Sequence, residues 1–159
     1  MKVFLEKDSS GSWNTVPPVP ADKIKNVNCH KFVLWEIGRI TWDELISDNK
    51  NGDFTFGEKV RGISDVTFKH IESYESLLSF VDQSCAVSKD YIGQIRDAET
   101  GEMAHSFILR KESNNEYICF NKPGFKYTFE VGNLESILNF VNKDGEKSNQ
   151  NQDWRFIPV

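Results

Sequence analysis

Cys29 is the residue whose type and setting promise most chemistry. It stands in Asn26-Val27-Asn28-Cys29-His30-Lys31-Phe32-Val33-Leu34-Trp35, where a polar run gives way to an apolar helix, and His105 heads a later strand. A thiol at a helix N-terminus meets unpaired backbone N–H groups and the positive end of the macrodipole, both of which favour the thiolate. Thiolates attack carbonyl carbon, so the chemistry expected of Cys29 is that of a hydrolase or acyl transferase acting on amide bonds.

Such a nucleophile needs a base, an orienting group and donors for the oxyanion. Met103 to Arg110 and Glu116 to Asn121 read as two strands of a hairpin. A turn centred on Ser113 sets His105 opposite Asn121 and Phe107 opposite Cys119. Facing residues share a sheet face, so Asn121 would fix the tautomer of His105 and leave its other nitrogen for the Cys29 proton. The backbone N–H of Cys29 is one oxyanion donor. Asn26, Asn28 and Gln94 offer side-chain amides for a second, Gln94 lying roughly across from His105 if the preceding hairpin is tight.

The elements that must position these groups follow from periodicity. Asn28 to Ile37 is apolar on most sides and ends at Gly38, which predicts a buried helix. Before it come a short strand, Lys2 to Glu6, a Ser/Gly/Asn loop and the proline tether Val16-Pro17-Pro18-Val19-Pro20. Thr41 to Ile46 reads as a short surface helix and Phe54-Thr55-Phe56 as an extended piece. Glu72 to Gln83 carries Leu77, Leu78, Phe80 and Val81 at helical spacing. Tyr91 to Asp97, Met103 to Arg110 and Glu116 to Asn121 are strand-like runs with short polar breaks, which predicts an antiparallel meander. A strand at Lys126 to Val131, a helix at Asn133 to Asn142, a loop from Lys143 to Asp153 and a last strand at Trp154 to Val159 complete the chain. Helices first and an antiparallel sheet afterwards make an α+β fold, read as one domain over 1–159.

Asn28-Cys29-His30 opening an apolar helix, then His105-Ser106-Phe107-Ile108-Leu109 and Tyr117-Ile118-Cys119-Phe120-Asn121, resemble the papain-like cysteine hydrolase superfamily, which includes small bacterial peptidases, cell-wall amidases and effector deamidases. The resemblance covers about residues 26 to 122, by order and context rather than by a long signature. It implies a papain-like arrangement in which a buried N-terminal helix bearing the cysteine packs on an antiparallel sheet, with Cys29 as nucleophile, His105 as base and Asn121 as orienter. There is no Cys-Gly-Ser-Cys-Trp string, and Lys23 stands where papain-type peptidases place an oxyanion glutamine. What the resemblance implies is therefore thiol chemistry on an amide of a protein or peptide, without a cofactor. Peptidase, amidase, deamidase and transferase activity all stay open.

The remaining residues have plainer readings. His30 neighbours Cys29, but successive helical side chains diverge by about 100 degrees, so it is poorly placed as that thiol's base. His70 is a reserve base in what reads as a solvated helix entry. Cys85 and Cys119 read as packing residues. Ser47 to Glu58 has the glycine and glutamate spacing of a calcium loop but lacks the first carboxylate, and an Asn-Gly turn accounts for it. No cysteine or histidine spacing suggests zinc.

Composition bounds the partners. The chain has 159 residues, twelve Phe, four Trp and a formal charge of −5. It shows no Lys/Arg block that would neutralise a phosphate backbone, so nucleic acid is not expected. No stretch reads as a Sec leader or a membrane span, and three widely spaced cysteines fit reduced thiols, so a cytoplasmic protein, or one exported by a specialised machine, is expected. The oligomeric state is not legible. The competing hypothesis is a noncatalytic interaction module, an inhibitor or immunity-type partner, in which Cys29 is a small core residue and Trp13, Trp35, Trp42, Phe54 and Phe56 build a binding face.

Overall fold

Strand residues from Asp90 onward are buried on both sides, so the sheet they form must be covered on both faces. The computed structural model, which describes residues 5–48, 68–124, 128–145 and 152–159, shows how. Strands β1 (Leu5–Lys7) and β2 (Trp13–Thr15) make a small hairpin. A 3-10 turn at Ile24–Asn26 leads into α1 (Cys29–Glu36), and α2 (Trp42–Ile46) follows. Then come β3 (Lys69–His70), α3 (Tyr74–Ser84), β4 (Asp90–Asp97), β5 (Met103–Ser113), β6 (Glu116–Asn121), β7 (Glu130–Gly132), α4 (Leu134–Gly145) and β8 (Gln152–Pro158). The main sheet has the order β3-β8-β4-β5-β6-β7, and every ladder in it is antiparallel.

The two faces bury different sets of residues. Phe32, Val33 and Leu34 of α1 pack with Ile92, Ile108, Phe120 and Ile157. On the opposite face Leu77, Phe80 and Val81 of α3 and Leu134, Ile137 and Leu138 of α4 cover Ile95, Phe107, Leu109, Cys119, Trp154 and Phe156. The α+β class, with helices on an antiparallel sheet, is thus as expected. No helix of the described residues is long and apolar enough to cross a membrane.

Several boundaries differ from expectation. The loop read at Ser9 to Thr15 contains β2, because Asp8 accepts bonds from Ser10 and Ser12 and closes a hairpin. His70 lies in β3, where a helix entry was expected; the helix starts after Ser73, whose hydroxyl caps Ser76. Helix α4 runs on to Gly145 and β8 starts at Gln152, both inside the stretch read as loop. The last strand before α4 is short, Glu130–Gly132, with 125–127 outside the described residues. The extended piece at Phe54 to Phe56, and all of the calcium-like loop beyond Asp48, also lie outside them.

The β5–β6 register differs as well. Ile108 faces Phe120 and Leu109 faces Cys119, two residues away from the expected pairing of Phe107 with Cys119. The turn is Asn114–Asn115, with Asn115 at φ 66°, and an irregularity at Lys111/Ser113 absorbs the difference. A slip of two preserves the faces, so His105 and Asn121 still share one and meet on the diagonal.

Candidate active site

Helix α1 begins at Cys29 because Asn28 caps it. Asn28 is extended, and its side-chain oxygen accepts the Lys31 N–H at 2.8 Å. Its role is to orient the helix start. Asn26 donates its amide to the Ile46 carbonyl at 3.0 Å, which ties the preceding turn to α2. The sulfur of Cys29 therefore emerges at the first turn of a helix held from two sides.

The residue is only 6 % exposed, yet among the described residues it joins neither apolar cluster. The backbone of Ser106, of His30 and of Cys29 itself favours its anion, as does the charge of the Lys122 ammonium. Burial outweighs them: desolvation pushes the thiol up to about 11, with the backbone bonds and Lys122 pulling the other way. The expectation of a ready thiolate near neutral pH is thus corrected. Removal from water costs the anion more than the helix terminus returns.

The Ser106 contact locates the histidine. The β5–β6 ladder runs from Ile108↔Phe120 to Ser113↔Glu116, so Ser106 lies beyond its end, where the two strands fork. The Ser106 backbone at that fork favours the Cys29 anion. Ser106 follows His105 in β5, and His30 Nδ1, at 2.7 Å from Ser106 Oγ, brings the start of α1 to this point of the strand. His105 itself is 1 % exposed, stacks on Phe107 (6.1 Å between centroids, 20° between planes) and points to the face covered by α3 and α4. Desolvation, then the His30 ring, lower its imidazole to about 3, against a hydrogen bond with Asn121 that favours the protonated ring. The expected pairing of His105 with Asn121 is present, although thiol and imidazole approach the fork from opposite faces of the sheet.

Gln94 faces Ser106, while Ile95 faces His105, which corrects the expected position by one residue. Its side chain consequently shares the α1 face with Ser106. It is 0 % exposed, its oxygen accepts Arg155 Nε at 2.6 Å, and its Nε2 has no hydrogen-bond partner among the described residues. A buried amide donor beside Ser106 is what an oxyanion site requires.

Other singled-out residues lie elsewhere. His70 pairs with Asp153 at 3.1 Å, with β8 and β4 between it and β5. Cys85 and Cys119 are buried in the α3/α4 cluster, and desolvation raises both thiols, that of Cys85 to about 12. Trp35 and Trp42 pack edge to face at 5.5 Å and, with Trp13, lean partly buried on the α1 cluster; Phe54 and Phe56 lie outside the described residues.

Three further groups complete the site: His30, read above as a neighbour of the thiol, and Ser106 and Lys122, which were not singled out. His30 Nδ1 lies 2.7 Å from Ser106 Oγ, fastening α1 to β5, and desolvation lowers its ring to about 4. Ser106 itself supplies the amide. Lys122 is 0 % exposed, and the alternation of β6 could have found it: Ile118 and Phe120 turn toward α1, and Lys122 continues the series.

No family model matches the chain, and neither a curated protein nor a solved structure does.

Proposed function

We propose that the chain is a cofactor-free thiol hydrolase or acyl transferase acting on amide bonds of a protein or peptide, in a papain-like arrangement. Cys29 is its nucleophile, His105 its base and Asn121 the group that orients the base. The observation that carries this reading is the junction of the α1 start with β5 beside His105, where His30 Nδ1 lies 2.7 Å from Ser106 Oγ, while Asn121 favours the protonated His105 ring.

With the thiol near 11 and the imidazole near 3, both groups are neutral at rest. Reaction starts from S–H rather than from an ion pair. Once substrate has opened the fork between the two faces, sulfur bonds to the carbonyl carbon, its proton passes through the opening to the imidazole, and the carbonyl electrons move onto oxygen. The Cys29 backbone N–H and the Gln94 Nε2 amide stabilise that oxygen. The tetrahedral adduct collapses to a thioester as the amine leaves with the imidazolium proton. Water, or an acceptor amine, then releases the acyl group and restores the thiol. Because Cys29 and His105 are buried, substrate must open the fork between β5 and β6 to reach the sulfur.

The test is iodoacetamide labelling of the native protein from pH 6 to 10, read by mass spectrometry at all three cysteines. Cys29 should react at least tenfold faster than Cys119, and His105→Ala should slow it. Equal rates at Cys29 and Cys119, with no effect of His105→Ala, would defeat the proposal. The second reading, a noncatalytic interaction module, draws on the burial of thiol and imidazole together, and equal labelling with unchanged folding is the outcome that favours it.

A further inference from the structure

Lys122 has no place in the mechanism above, yet it is a fully buried lysine next to the nucleophile. Burying an ammonium is costly unless its hydrogens are paired. Two of its three donors are: Nζ gives hydrogen bonds to the Val27 carbonyl at 2.7 Å and to the Gly124 carbonyl at 2.6 Å. Val27 lies two residues before Cys29, and Gly124 lies in the segment that leaves β6. One side chain thus ties the approach to α1 to the far lip of the β5–β6 fork. The face of the Phe129 ring lies 5.9 Å from the same nitrogen, a further favourable contact for a cation.

We propose that Lys122 is a positioning residue of the thiol site: it fixes the entry of α1 at the fork, and its ammonium is the counter-charge against which the Cys29 thiolate forms. This deepens the thiol-enzyme reading and rests on it. The titratable group that acts on this cation is Cys29 of α1, while His30 of α1 and His105 of β5 act on each other beside the Ser106 junction. Both histidines are neutral above pH 6.5, which leaves Lys122 as the cation beside the sulfur. Lys31, the other buried lysine of this region, is turned to the Asn26 and Ser47 carbonyls at 3.0 and 2.9 Å. Desolvation lowers the Lys122 ammonium to about 8, with the Cys29 charge opposing, so the counter-charge is lost just above neutral pH.

The experiment is the pH dependence of Cys29 alkylation, with Cys119 as internal reference. In the wild type the logarithm of the Cys29 rate should climb with unit slope below pH 8 and more shallowly above it, while that of Cys119 keeps unit slope. A straight unit slope for Cys29 from pH 6 to 10 would overturn the proposal without any variant. Lys122→Met should slow Cys29 alkylation at pH 7.5 about tenfold and abolish the break. Lys122→Arg, which keeps the charge, should restore at least a third of the wild-type rate. His105→Ala separates the two readings: if it slows Cys29 while Lys122→Met does not, the role of Lys122 falls and the thiol enzyme stands. If neither variant changes the rate, both fall.

Discussion

Cys29 and Cys119 lie in two regions that hide a thiol equally well and treat its anion differently. Cys119 sits on the α3/α4 face among aliphatic and aromatic side chains, and nothing there offsets the loss of water, so its thiol rises beyond that of Cys29. Cys29 sits at the sheet fork, where neighbouring backbone N–H groups and an ammonium favour its anion. Those contacts recover part of what burial removes, though not all. With the thiol near 11, only about one molecule in ten thousand carries the thiolate at pH 7, so a base acting during attack is worth more here than a standing ion pair.

The sharpest way to break the contrast is to open the apolar side. Phe107 is fully buried against Trp154 and Phe156, and Phe107→Ala should cost about 3–5 kcal/mol in urea unfolding. A loss under about 1 kcal/mol would mean that this face is not the main core. Acid probes the polar side. His30 and His105 take up protons near 6.5 when unfolded but only near 4 and 3 in the fold. Their contribution is therefore complete above pH 6.5 and is lost as pH falls toward those values. Denaturation from pH 7 to pH 4 should show a decline of a few kcal/mol, flattened in His30→Gln, and a flat profile in the wild type would refute the neutral, buried rings.

A smaller perturbation links the regions. A Cβ on Gly93 would collide with the Phe107 ring, so Gly93→Ala should cost about 1–3 kcal/mol and, through the stacked His105, alter Cys29 labelling. Labelling that ignores this substitution would uncouple the core from the site. Smallest is the cap: Asn28→Ala should lower stability by about 1 kcal/mol and slow Cys29 alkylation, and an unchanged thermal midpoint would show that the helix start is held by α2 and Lys122 alone.

Local chemistry made much of this visible in the residues themselves. The helix at Cys29 and the strand Glu116–Asn121 follow from apolar spacing, whereas Asn28, read from the sequence as an amide donor for the oxyanion, is the cap of that helix. The pairing of His105 with Asn121 survived a register error because a two-residue slip keeps parity, whereas the one-residue error at Gln94 moved that side chain to the other face. What stayed hidden depends on contacts distant in the chain. Lys122 meets Val27 across 95 positions, and His30 meets Ser106 across 76, which no window of neighbouring residues displays. The thiol's raised pKa was missed for the same reason, since burial is a property of the assembled fold.

The stacking of His105 on Phe107 ties the proposed proton carrier to the aromatic heart of the molecule. An imidazole lodged there cannot swing unless Phe107, Trp154 and Phe156 yield with it. Turnover would then keep time with the breathing of the interior, and a variant hardened against heat on the α3/α4 side should also be a slower catalyst.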